Sequence, residues 1–345
     1  MNRLAPIHQA LFGYSNGHHL LFSSTSISPH ALKTIEPLSD LSGALLPDSF
    51  DGYLTGYYLP ELSCYVLSKT WGAKEMPRLG CVWTHVLLIP DSITYHELRL
   101  IPLESVFVRP NINRENWENE YKSPLMFDEA DYYESDKDLP YLPANAIEYD
   151  VLSKLLLPDD ICLVFSDESE TYSNAFLTLI KYFGISFFKD VSFCTGALSP
   201  RMINGSPFGI QIVPKTIAKN TWIASVRNQL AHGIGKVRFE EDNQNKVTIK
   251  EAVLFWQSNR IENRTLESFK TSVLIIDYYN NSTLLDFGDL FERVRKNLCD
   301  ELSENGVEAI IAQQIFEKRF VEPNCFSNES LIAFCSFITE TENWD

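Results

Sequence analysis

The chain has 345 residues, 45% of them hydrophobic and 22% charged, with a formal net charge of −17. That balance excludes wholesale disorder, and no apolar run reaches the roughly 18 residues of a membrane span. The charge is uneven: residues 111–170 carry 4 basic and 16 acidic side chains, and 171–260 carry 11 and 5. Nucleic acid and anionic membranes are therefore repelled unless 171–260 gathers a basic patch. The N-terminus lacks the pattern of a secretory signal. Seven cysteines with no CxxC spacing read as buried thiols of a cytoplasmic protein.

In chain order, the first strand is expected before Tyr14-Ser15-Asn16-Gly17, a tight turn needing positive φ at Gly17, and a returning strand over His18–Ser24. Ser28 as N-cap and Pro29 at the first helical position start a helix that should stop near Pro37. Residues 55–71, aromatic and β-branched, predict strands or a hairpin. Cys81–Pro90 is a nearly continuous apolar run and predicts a central strand buried on both faces. Asp91 or Ser92 should cap a short helix after it.

Residues 111–143 form a long irregular excursion, acidic, aromatic and broken by prolines; segments of this kind usually bind something or move. A helix is expected near 144–157, then a short strand at 161–166. A helix over Tyr172–Phe183 should end at Gly184. Two paired strands follow, in 190–198 and 208–214, and EAVLFWQ (251–257) suggests another. Beyond about Arg264 the spacing of apolar residues turns helical, with helices expected over 284–302, 307–320 and 329–344. The fold class is α+β: a mixed-sheet N-terminal region with a helical C-terminal third, divided into domains at 1–215 and 216–345.

P-loop, GxGxxG, HExxH, GxSxG and kinase patterns are absent from the sequence. Five of seven histidines lie in the first 85 residues, but without metal-ligand spacing. His18 and His19 are adjacent, so on a strand they face opposite sides. Cys81 and Cys194 read as core fillers. Trp83 and His85, two apart, share one face of their strand; Trp83 should be buried with its indole N–H paired, and His85 should be structural. No metal or cofactor is expected.

Three stretches are similar to one family. His8-Gln9-Ala10-Leu11-x-Gly13-Tyr14-x-x-Gly17-His18-x-Leu20-Leu21, with Ser23-Ser24, resembles the start of the N-terminal domain of bacterial GTPase-associated proteins. Arg78-x-Gly80-Cys81-Val82-Trp83-Thr84-His85-x-Leu87-Leu88 resembles its second signature, and Phe193-Cys194-Thr195 with Phe208–Pro214 a third. The order is that of the family and spans about 1–215. The resemblance implies a component of anti-phage or conflict systems encoded beside GTPases and other NTPases, with an accessory role and no enzymatic activity to carry over. The chain departs from the family in being short and in having His19 where a basic Arg is common.

The reading is a non-catalytic adaptor or regulatory subunit that binds a GTPase, another NTPase or an effector protein. Its candidate binding residues are Tyr14, Asn16, His18, His85, Trp117, Tyr132 and Tyr133. The alternative is an enzyme or small-ligand sensor that uses His8, His18 and His85 around the glycine turn. A third idea, nucleic-acid contact through Arg201, Lys215, Lys219, Arg227, Lys236 and Arg238, is opposed by the net charge.

Overall fold

The computed structural model describes residues 5–43, 52–76, 78, 80–127, 145–156, 161–217, 237–239, 246–258 and 264–281. The chain divides into two compact units, 1–242 and 243–345.

The first unit is built on a nine-stranded mixed sheet. Strands β1 (His8–Tyr14) and β2 (His18–Ser23) form the expected hairpin. Its turn carries Asn16 at φ 61° and Gly17 at φ 141°, the left-handed backbone that glycine adopts without a Cβ penalty. Helix α1 (Pro29–Ser39) starts where the sequence places it, with the Ser28 hydroxyl accepting from the Ala31 N–H at 3.2 Å. It does not stop at Pro37 but runs to Ser39. A proline costs one backbone bond near a helix end, and here a distant side chain binds the last carbonyls.

Strands β3 (Tyr53–Leu59) and β4 (Cys64–Gly72) form a hairpin, and β5 (Val82–Pro90) lies between β4 and β1 with all but its last residue buried. Helix α2 (Tyr95–Arg99) is capped by Thr94, not by Asp91 or Ser92. Thr94 and Glu97 bond reciprocally to each other's backbone N–H, the S/T-x-x-E capping box.

Helix α3 (Ala146–Leu155) packs on α4 (Ser169–Phe183), and Gly184 at φ 82° ends α4 as expected. Strand β6 (Ile161–Phe165) lies between the two helices in the chain; α5 (Ile185–Phe188) and β7 (Phe193–Cys194) follow α4. The expected pair is formed by β7 and β10 (Ile210–Val213), running parallel. Between them β8 (Met202–Ile203) and β9 (Ser206–Pro207) make a small separate hairpin. Strand β11 (Val237–Phe239) completes the sheet, whose order is β11-β6-β10-β7-β3-β4-β5-β1-β2.

The alternation of side chains assigns the two faces. On one, Ala10, Phe12, Tyr53, Tyr57, Val66, Val86 and Leu88 pack with Ala31, Ile35 and Leu38 of α1. On the other, α4 and α5 lie against β3, β4 and β7: the Phe176 and Phe193 rings stack at 3.7 Å, and the Tyr65 hydroxyl donates to the Val191 carbonyl. A strap, residues 101–125, runs over β1 and β5 on this second face and bridges back at Leu125 to Ile7.

In the second unit, 251–257 is not a strand. It belongs to α6 (Lys246–Ser258), which packs on α7 (Leu266–Asn281). Ile249, Ala252, Val253 and Trp256 are buried at helical spacing, and the Trp256 indole N–H donates to the Ser272 hydroxyl at 2.8 Å. The helices expected over 284–302, 307–320 and 329–344 lie outside the described residues. The fold is α+β, with a mixed sheet in the N-terminal region and helices after it. Among the described residues no helix is long and apolar enough to cross a membrane.

Candidate functional site

Strand β5 presents Trp83 and His85 to the strap. The His85 ring is 1% exposed and both of its nitrogens are engaged. The Val108 N–H donates to Nδ1 at 3.1 Å, so Nδ1 is unprotonated and Nε2–H donates to the Gln9 side-chain oxygen Oε1 at 2.8 Å. The Gln9 amide in turn donates to the Glu120 and Ser123 carbonyls. Two adjacent strands thus hold both ends of the strap. Burial pushes the imidazole down to about 3, so it stays neutral at physiological pH. Neutral, with both ring nitrogens already hydrogen-bonded, it fastens the strap to the sheet.

Trp83 is 2% exposed and its indole N–H donates to Glu75 at 2.8 Å, as the sequence predicts. Arg109 of the strap closes on the same carboxylate at 2.7 and 2.9 Å and on the Gly72 carbonyl. Partial burial pushes the Glu75 carboxyl up, but hydrogen bonds from its own backbone, Trp83 and Arg109 outweigh this and hold it below the usual range. The Trp83 ring packs against β1 at Gly13, where any Cβ would overlap its six-membered ring. The glycine of the first signature and the tryptophan of the second are therefore one packing unit.

Around Trp83 the buried Leu11, Ala73, Cys81 and Tyr121 form a small core whose rim is only partly covered: Tyr14, Leu21, Phe22, Trp71, Met76 and Trp117. Trp117 meets Trp83 at 5.9 Å and Phe22 at 5.6 Å, both edge to face, and Lys122 sits over the Phe22 ring. Three of the four exposed large apolar side chains among the described residues belong to the strap or directly follow it: Val108 at 40%, Ile112 at 38% and Met126 at 52%. An edge of half-covered aromatics, Met and Arg is the composition of an interface anchor.

His18 stands on the opposite face, against the C-terminal end of α1. Its Nε2 lies 2.9 Å from the Ser39 hydroxyl and its Nδ1 3.7 Å from Asp40. These are the residue types of a hydrolytic triad, but Ser39 is 1% exposed and its hydroxyl donates to the Glu36 carbonyl. No substrate reaches it. Burial pushes the His18 imidazole down against the raising effect of Asp40, and His19 and Arg201 add to the lowering.

Arg201 completes this end. It is 7% exposed, and its guanidinium donates to the carbonyls of Pro37, Leu38 and Asp40 and to the Tyr53 hydroxyl. Among the described residues no carboxylate pairs with it; the negative end of the α1 dipole is its counter-charge. This is why α1 continues past Pro37. It also removes Arg201 from any phosphate-binding set, since a buried guanidinium bound to backbone cannot reach a nucleic acid. Lys215 is exposed, while Lys219, Arg227, Lys236 and the side chain of Arg238 lie outside what is described.

The structure brings Tyr14 and Trp117 to one surface with Trp83 and leaves Asn16 exposed at the hairpin tip. His18 and His85 stand on opposite faces, and His8 is at the far end of β1 from the turn, 3.3 Å from the Ser24 hydroxyl. The three histidines therefore form no common centre. Tyr132 and Tyr133 lie outside the described residues. Among those described, no group of three His, Cys, Asp or Glu side chains could hold a metal ion. Gln9 and Gly13 belong to the first signature but not to the candidate binding residues, and Glu75 and Arg109 were not singled out in the sequence. Only Gly13 carried a local signal, a glycine interrupting an otherwise apolar strand.

Residues 6–107 match the family model of GTPase-associated protein 1, N-terminal domain type 1. The matched stretch contains the first two signatures, the hairpin and the Trp83 strand, and ends within the strap; the third signature lies beyond it. No curated protein matches the chain.

Proposed function

We propose that this protein is a non-catalytic adaptor that associates with a GTPase, and that the half-covered aromatic rim around Trp83 is the surface it uses. The supporting observation is the collection of Tyr14, Phe22, Trp71, Met76 and Trp117 at one edge of the sheet. Such side chains gain free energy from being covered, at about 25 cal/mol per Å² of apolar area. The likeness of residues 6–107 to a GTPase-associated domain supports the class of partner. Its setting in a cytoplasmic anti-phage or conflict system, with the partner encoded nearby, rests on the sequence resemblance. Tyr132 and Tyr133, in the acidic, aromatic segment outside the described residues, are proposed to take part in partner binding.

The test is co-purification and titration with the GTPase encoded beside the gene. Trp117→Ser and a Tyr14→Ser/Met76→Ser pair should each weaken capture at least tenfold. Circular dichroism and melting curves establish that the variants remain folded. Capture that persists in both, with the fold intact, overturns the assignment of this surface.

A further inference from the structure

At the end of the sheet where β1 begins, on the α1 side and away from the aromatic rim, lies a cavity of about 330 Å³. Four connections meet there: the entry to β1 with His8, the link from β2 to α1 with Ser26, the β3–β4 turn with Cys64 and the end of β5 with Ser92. Its volume is at the lower end of the range for small-molecule sites. Most of the wall is apolar, and among the described residues no carboxylate, ammonium or guanidinium lines it. Of its two ionisable groups, Cys64 is pushed up to about 12, chiefly by burial, and stays a neutral thiol.

The other, His8, has its Nδ1 3.3 Å from the Ser24 hydroxyl, whose oxygen also accepts the Gln9 N–H at 2.8 Å. Its Nε2 has no partner among the described residues. The cavity therefore combines an apolar wall, the His8 ring and the rim hydroxyls of Ser26 and Ser92.

We propose that this cavity is a binding site for a small uncharged molecule with an apolar body and one polar hydrogen-bonding group, which pairs with the His8 ring nitrogen Nε2. A charged ligand is disfavoured because no charged side chain of the described wall repays its desolvation. A purely apolar one leaves that ring nitrogen unpaired.

The experiment is a titration of the full-length protein by saturation-transfer NMR with three probes of one shape: benzamide, toluene and benzoate. Benzamide should bind saturably, toluene about tenfold more weakly, and benzoate not at all over the same range. Ser92→Trp fills the mouth from an exposed position and should abolish binding of benzamide with the melting temperature unchanged. His8→Phe should weaken benzamide about tenfold, the worth of one hydrogen bond, while changing toluene less than twofold. Failure of benzamide to saturate overturns the proposal. So do equal affinities for benzamide and toluene, and binding that survives Ser92→Trp.

Discussion

Against α1, the polar groups of the sheet close on one another. Arg201 binds the last carbonyls of the helix, and His18 and Tyr53 meet Ser39 and Asp40. Across the sheet, the strap is fastened at equally defined points, by His85 with Gln9 and by Glu75 with Arg109. Yet it leaves Tyr14, Phe22, Trp71, Met76 and Trp117 half covered. One face ends in a satisfied helix terminus and the other in an apolar edge. Rigid anchoring beside an open aromatic rim is what a preformed interface needs, since ordering it on binding then costs little.

The comparison breaks first at Trp83. Trp83→Ala removes the floor of the rim and should cost about 3–5 kcal/mol of stability in chemical denaturation. A stable Trp83→Ala protein that had lost only partner capture would make the residue a contact rather than a support. Arg201→Met tests the opposite face. It strands three helix-terminal carbonyls in the interior and should cost about 2–4 kcal/mol, with fraying of the last turn of α1 visible by amide exchange. A neutral outcome would mean that α1 closes without Arg201.

Gly13→Ala should cost about 1–3 kcal/mol, because the added methyl group meets an aromatic ring already held on both sides. Combined with Trp83→Leu it should cost less than the sum of the two single changes, since the clash is then relieved. Additivity would show that the two residues are not one unit.

The pH dependence is the finest probe. The His85 pKa is about 3 in the folded protein, below the ordinary 6.5 of the unfolded chain. Between those values the unfolded state binds the extra proton, so stability is full above about pH 6.5 and falls as the pH is lowered. The slope from this group is about 1.4 kcal/mol per pH unit, and the lowered His18 adds in the same direction. His85→Gln should flatten the fall measured between pH 6.5 and 4.5. An unchanged slope would place the acid sensitivity elsewhere.

Much was legible without coordinates. The hairpin at Asn16-Gly17, the Ser28-Pro29 start of α1, the buried strand at 82–90 and the stop at Gly184 are written in residues that act locally: positive φ, fixed proline φ, a capping hydroxyl, an unbroken apolar run. Thr94-x-x-Glu97 was equally readable, and the nearer Asp91 and Ser92 obscured it. At 251–257 the run AVLFW looked like a strand, although the burial at 249, 252, 253 and 256 has the period of a helix.

Tertiary structure alone decided the rest. That Arg201, 161 residues from Asp40, caps α1, and that Gln9 holds Glu120 and Ser123, follow from which chain segments the sheet order brings together. No local pattern encodes those meetings. The sequence by itself determined the α+β class, the main turns and the buried fate of Trp83, because each depends on neighbours within a few residues. Which side chains share a face with which, and hence the open aromatic rim and the three separate histidines, depended on the register of strands distant in the chain. That register is set by packing summed over the whole core.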